Sequence, residues 1–179
     1  RRRTTYGSER VQALVVNDSI VFVQRRGRKM REFSYSFERD NFVGSDLTLL
    51  AEHITDGGIT QLAFQRQRDA IVWAITGNGN LIGMTYERAQ NVVGWHCHTT
   101  EGVFESVATI PGDEEDDEVW VVVRRETDSG VVRYIERFKA DQYRVQEDED
   151  KDALWFVDSG KSFTGSDMLT LSGLDHLEG

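Results

Sequence analysis

Cysteine is nearly missing from this chain of 179 residues: Cys97 stands alone, so no internal disulfide framework is available and no oxidising compartment is required. Long apolar runs are missing as well. No stretch approaches the roughly 20 residues that a bilayer-crossing helix needs, and the opening Arg1-Arg2-Arg3-Thr4-Thr5-Tyr6-Gly7 has no apolar segment behind its charges. No membrane anchor is expected. Basic residues are in deficit, 21 against 31 acids, and the formal charge of −10 argues against a general nucleic-acid binder held by phosphate contacts. What is present is 39% hydrophobic residues, enough to bury one ordinary core with a small appendage, which excludes disorder as the main reading. The chain begins without methionine and stops without a terminating pattern, and a piece of a longer protein is expected.

A repeat runs through the first 140 residues. Each of three segments carries an apolar strand, an acidic or polar turn, a stronger apolar strand, a glycine turn and a third strand bearing tyrosine. The second strands are Ile20-Val21-Phe22-Val23, Ile71-Val72-Trp73-Ala74 and Val119-Trp120-Val121-Val122-Val123, preceded by Asp18, Asp69 and Asp117. Tyr35, Tyr86 and Tyr134 each follow their acid by 17 positions, and Gly27, Gly79 and Gly130 fall in the connecting turns, where a positive φ is expected. The acids recur after 51 and then 48 residues. A period of about 40 to 50 residues built from short strands is the signature of propeller blades.

The expected fold is therefore all-β and mainly antiparallel, with three propeller-like blades over residues 1–140 forming an incomplete propeller. Second strands apolar on both faces predict sandwiching between neighbours, with Trp73, Trp120, Tyr35, Tyr86 and Tyr134 buried between blades. Phe33, Tyr35 and Phe37 share one face of a third strand, as do Ile82, Met84 and Tyr86. Asn91 to His98 reads as an outer strand of the middle blade. In the first repeat the corresponding region differs: Leu47, Leu50, Ala51 and Ile54 at helical spacing, with Ser45 or Asp46 as a cap and Gly57-Gly58 as a stop, predict a short helix. Residues 141–179 open with an acidic linker and then Ala153-Leu154-Trp155-Phe156-Val157, the beginning of a second, truncated β module.

Several stretches carry a resemblance. Ile20 to Glu32, Asp46 to Ile54, Gly94-Trp95-His96-Cys97-His98, Glu105 to Pro111, Arg133 to Arg137 and the closing Gly173 to Gly179 together resemble the tail nozzle, or tail tubular protein B, family of short-tailed bacteriophages and related prophages. The resemblance spans most of the chain. It implies an interrupted β-propeller in a virion structural protein that assembles as a homo-oligomeric ring, a hexamer, with other tail proteins. Its expected location is the virion tail, after a stay in the host cytoplasm during assembly. DNA would pass along the conduit without sequence-specific binding. The resemblance brings no catalytic residues and no cofactor.

The residues that could carry chemistry are few. His96 and His98 lie on one face of a strand and, with a carboxylate, could hold a transition metal, yet two ligands are not a site. Strand histidines packed beside Trp95 are the better reading. Arg25, Arg26, Arg28, Lys29 and Arg31 crowd a hairpin turn that could grip phosphate or an acidic partner, and the acidic run 113–118 offers a complement for subunit contact. A solvated tip that discourages edge pairing is the plainer account. The acidic runs at 113–118 and 147–150 lack the spacing of dedicated calcium loops, and no nucleophile with an assignable base is visible, so no enzyme is expected.

Two other functions remain open. A propeller binding a glycan or a protein would line its pocket with Trp73, Trp95 and Trp120. A hydrolase on a propeller scaffold would need convergent carboxylates at loop tips, and none can be assigned. Taken alone, three blades cannot close, and both terminal blades are expected to expose apolar faces and to associate weakly at most.

Overall fold

The structure, a computed structural model, describes residues 5–67, 69–112 and 116–138 and, singly, residues 159, 160, 170, 172 and 174. The expected module over 141–179 lies, apart from those single positions, outside the described residues, as do residues 113–115 of the acidic run.

Branched and aromatic residues dominate the strands, and turn-forming residues separate them. The first sheet holds β1 (Leu14–Val16), β2 (Ser19–Val23), β3 (Met30–Ser36) and β4 (Asn41–Asp46), side by side in chain order. The middle sheet repeats that order with β5 (Ile59–Gln65), β6 (Ile71–Thr76), β7 (Leu81–Glu87) and β8 (Val92–His98). The third sheet has β9 (Val103–Pro111), β10 (Asp117–Thr127) and β11 (Gly130–Arg137) among the described residues. All pairings are antiparallel. The fold is all-β, as the repeat predicts.

Two cores join the sheets into a stack. Val21, Val23 and Met30 of the first sheet pack on Val72, Ile82, Met84 and Tyr86 of the middle one. On the other face of the middle sheet, Trp73, Ile75 and Leu81 pack on Phe104, Val107 and Val121 of the third. Each sheet thus has a forward face toward its successor and a backward face toward its predecessor. The first strands adjoin one another, β1 beside β5 and β5 beside β9, as along the inner edge of a propeller sector.

The predicted glycine turns do more than reverse the chain. Gly27 and Gly79 have φ of 78° and 81°, and each offers its carbonyl to the next sheet: Ile59 N–H donates to Gly27 at 2.8 Å, and Phe104 N–H to Gly79 at 2.9 Å. One backbone link is therefore repeated at both interfaces. Side chains reinforce the second: Gln61 exchanges two hydrogen bonds with the Val107 backbone, and the Asp117 carboxylate accepts from the N–H groups of Arg66 and Gln67.

The predicted helix over 45–54 is not there, and no α-helix occurs among the described residues. Residues 41–46 form the outer strand β4 instead, so the first repeat does possess its fourth element. Asp46 ends it by accepting from both the N–H and the hydroxyl of Thr48, and successive i to i+3 turns then run to Gly58. Leu50 is 95% exposed, so the leucines do not make the single buried stripe that a helix requires. Among the described residues the one helical element is a 3-10 turn at Arg88–Gln90.

The expected burial of the repeat aromatics needs correction as well. Trp73 and Tyr86 are buried, at 4% and 2% exposure, because the middle sheet is covered on both faces. Trp120 is only half-buried and Tyr35 is 47% exposed, because each lies on a face that no other sheet covers among the described residues; Tyr134, opposite Val123 on the covered face of the third sheet, is half-buried too. Phe37 falls beyond β3, in a turn, and is exposed.

Candidate functional site

The basic hairpin comes first, because the sequence marks it most strongly. Its turn is closed by Gln24 and Lys29, with Gly27 at its tip and Arg26 at a φ of 86°. Arg31 lies on the backward face of the first sheet, opposite Phe22, and is buried there, bonding Gln24 Oε1 and the Gly44 carbonyl with its guanidinium 3.6 Å from the centre of the Tyr6 ring. Lys29 donates to Asp46 at 2.9 Å and lies 2.7 Å from Glu52. Those bonds, Glu52 first and Asp46 second, raise the Lys29 pKa above its ordinary value. Burial would raise the Asp46 carboxyl, but Lys29 and Thr48 together hold it below the usual range. Arg28 reaches Asp56 at 3.3 Å and the Glu52 carbonyl. Arg25 and Arg26 are exposed; the Arg26 N–H donates to the Glu9 carboxylate, which that bond first, and the Arg25 charge last, help hold below its ordinary pKa. The acids that answer this hairpin are thus Asp46, Glu52 and Asp56 in the following turns. Of the expected complement, the 113–118 run, residues 113–115 lie outside the described residues, while Asp117 accepts from the Arg66 and Gln67 N–H groups and Glu118 pairs with Arg137, not with this hairpin.

His96 and His98 are brought together, as their spacing requires, but against aromatic rings. They share the forward face of the middle sheet, 5.1 Å apart between ring centres, with Trp73 5.4 Å from each and Phe138 5.2 Å from His98. Burial, with His96 a lesser contributor, pushes the His98 pKa down to about 4, and burial also lowers His96. Both rings are therefore neutral at pH 7. Among the described residues no group of three or more His, Cys, Asp or Glu side chains is placed to hold a metal ion. Gly83 sits directly opposite His96, and its missing Cβ leaves the space that the imidazole occupies.

Two arginines that the sequence did not single out are tied into the fold, Arg88 across two sheets and Arg125 within the third sheet and the loop before it. Arg88 leaves the middle sheet and bonds Ser19 and Ser34 on the first, with Glu32 at 3.1 Å. The Tyr86 hydroxyl is buried beside this group; burial first, then the Glu32 charge, push its pKa up to about 12. Arg125, 2% exposed, pairs with Glu136 through two bonds of 3.0 Å and donates to the Glu101 carbonyl at 2.7 Å. Nothing local marks Arg88, whose partners lie more than fifty positions away. Arg125 had a signal: it continues the inward alternation of Val119, Val121 and Val123.

The outer faces of the terminal sheets differ in kind. The backward face of the first sheet carries Val15, Ile20, Phe33, Tyr35 and Phe42, with Phe33 stacked on Phe42 at 4.9 Å and Tyr35 edge-on to Phe42 at 5.5 Å. The forward face of the third sheet is crossed by ion pairs, Arg133 with Glu105 and Arg137 with Glu118, around Trp120, Val122 and Ile135. The expectation of two apolar ends holds for the first sheet and must be corrected for the third. No protein-family model matches the chain, and no curated protein matches it.

Proposed function

We propose that the chain is the bladed part of a virion structural protein, a tail nozzle subunit of a short-tailed phage that contributes to the DNA conduit. One observation carries this reading: the side chains best suited to chemistry are used to hold sheets and turns in place. The basic hairpin is bound to Asp46, Glu52 and Asp56, and the histidine pair is packed between Trp73 and Phe138. Such a surface suits a wall more than a catalyst. The assignment to phage tails comes from the sequence resemblance, and with it come the homo-oligomeric ring, the other tail proteins as partners and the virion as location.

A glycan-binding or protein-binding propeller would need its tryptophans open. Trp73 is buried, and Trp95 is half-buried with its indole N–H on the Leu47 carbonyl, so that reading rests on Trp120 alone. The test of the tail assignment is mass spectrometry of purified virions, joined to electron microscopy of the intact parent protein. Ring-shaped particles, and a stoichiometric presence in virions, are expected; a parent that stays monomeric during assembly and is absent from virions would refute it.

A further inference from the structure

The three glycine turns of the repeat differ in the residue before the glycine: Arg26 precedes Gly27, Ser129 precedes Gly130, and Asn78 precedes Gly79. Only the last pair is chemically labile. Asparagine is a thermolabile residue, and its side-chain amide lies within reach of the next backbone nitrogen, which a following glycine leaves uncrowded. We propose that Asn78 is a site of spontaneous covalent modification, converted through a cyclic imide with Gly79 into aspartate and isoaspartate, and that the isoaspartate form releases the third sheet from this turn. In the first step the Gly79 nitrogen gives up its proton and bonds to Asn78 Cγ; the Cγ–Nδ2 bond breaks, and the amide nitrogen departs with that proton as ammonia. Water then opens the ring. Cleavage at Cγ leaves aspartate, whereas cleavage at the Asn78 carbonyl carbon leaves isoaspartate, whose main chain runs through the side chain and is longer by one carbon.

The turn permits this chemistry without global unfolding. Asn78 is exposed at the tip of the β6–β7 hairpin, where water reaches it. Its amide rests on Gly57, close enough that a Cβ there would lie 2.5 Å from Asn78 Cγ, yet among the described residues it makes no hydrogen bond. The side chain is free to swing toward Gly79. One bond restrains the attacking nitrogen, from Gly79 N–H to the Thr76 carbonyl at 2.9 Å. The net worth of a single backbone hydrogen bond slows a reaction that must first open it by about tenfold at most. The other four asparagines are followed by Asp18, Phe42, Leu81 and Val92, whose side chains crowd the nitrogen. The consequence follows from position. The Gly79 carbonyl accepts from Phe104 N–H at 2.9 Å, and Val103 Cγ1 stands 2.3 Å from where a Cβ of Gly79 would be. An added chain atom between 78 and 79 therefore displaces the carbonyl that joins this turn to the third sheet.

This inference is independent of the tail assignment, since it concerns the chain in solution and is read without a virion. The 179-residue chain is held at mildly alkaline pH, native and in urea, and mapped over time by peptide mass spectrometry with isoaspartyl methyltransferase as the label. Conversion at Asn78 should outrun that at the other four asparagines by about tenfold or more, and the native rate should lie within about tenfold of the unfolded one. Asn78→Gln should abolish the label. In the isoaspartate form, separated by ion exchange, Phe104 N–H should exchange with solvent about tenfold faster or more. Ile59 N–H, bonded to Gly27 at the first interface, should exchange as in the fresh chain. Asn78→Asp adds the charge without lengthening the chain and should keep Phe104 protected. A native chain that gains no label at Asn78 while the unfolded chain does, label spread evenly over the asparagines, unchanged Phe104 exchange in the isoaspartate form, or equal loss of protection in Asn78→Asp would each overturn the proposal.

Discussion

The middle sheet and the first sheet share strand order, hairpin chemistry and the repeat tyrosine, yet one buries its tyrosine and the other exposes it. The difference lies in cover. Both faces of the middle sheet meet a neighbour, and its second strand β6 is buried from Val72 to Thr76 without a break. Strand β2 of the first sheet alternates, with Ile20 exposed between buried Ser19 and Val21. A blade is therefore half a unit of stability, completed by the face placed against it, as in other stacked repeats.

The sharpest way to break this comparison is to truncate the same tyrosine twice. Tyr86→Ala should cost about 3–5 kcal/mol by opening a cavity between two sheets, whereas Tyr35→Ala should cost about 1 kcal/mol or less. Urea unfolding of both variants at a concentration where the chain is monomeric is the measurement. Equal losses would show that cover is not what separates the sheets.

A smaller contrast lies in the glycine turns. A Cβ at Gly79 would lie 2.3 Å from Val103 Cγ1 of the next sheet, while a Cβ at Gly130, which has no following sheet among the described residues, meets nothing within 4 Å. Both have positive φ, 81° and 113°. Gly79→Ala should lower stability by about 1–3 kcal/mol through the clash in addition to backbone strain, and Gly130→Ala by the strain alone. Thermal midpoints of the two variants should fall in that order.

The smallest effect separates the interfaces by pH. His98, between the middle and third sheets, is held near 4 against an ordinary 6.5, so the unfolded chain takes up its proton first. Its contribution is complete above 6.5 and is lost as pH falls toward 4. Tyr86, between the first and middle sheets, is held near 12 against an ordinary 10, so its contribution is complete below 10 and is lost as pH rises toward 12. The thermal midpoint should decline in both windows. His98→Phe should flatten the acid limb and Tyr86→Phe the alkaline limb; a variant that flattens the opposite limb would contradict this assignment of the two groups.

The strands and turns of this protein were largely legible because they depend on local chemistry. Acids at Asp18, Asp69 and Asp117, glycines at positive φ and tyrosines at constant spacing all mark positions within a hairpin, while the contacts of Asp117 with Arg66 and Gln67 and of the Gly27 and Gly79 carbonyls with the next sheet carry no local mark. The helix over 45–54 was misread for an equally physical reason. Leucines at helical spacing stabilise a helix only if a partner surface accepts them, whereas here Asp46 binds Thr48 and turns the chain away, leaving Leu49 and Leu50 in solvent. The basic hairpin was located correctly as a turn, but its charges find their partners up to 28 positions away in loops that no local rule brings close.

Which face of each strand is buried lay beyond the sequence. Alignment on the acids sets Phe22 opposite Trp73, but the hairpins close at Val23 with Met30 and at Ile75 with Leu81, so Val21 is the residue that corresponds to Trp73. The shift is a single position. In a strand one residue exchanges the two faces, so the repeat by itself determined where strands lie and which of them pair. The stacking of the sheets decided the rest, since the hydrophobic effect rewards burial on any face and only a neighbouring sheet determines which face is buried. That is why Tyr86 is core, Tyr35 is surface, and Arg88 bridges sheets whose partners in sequence give no hint of it.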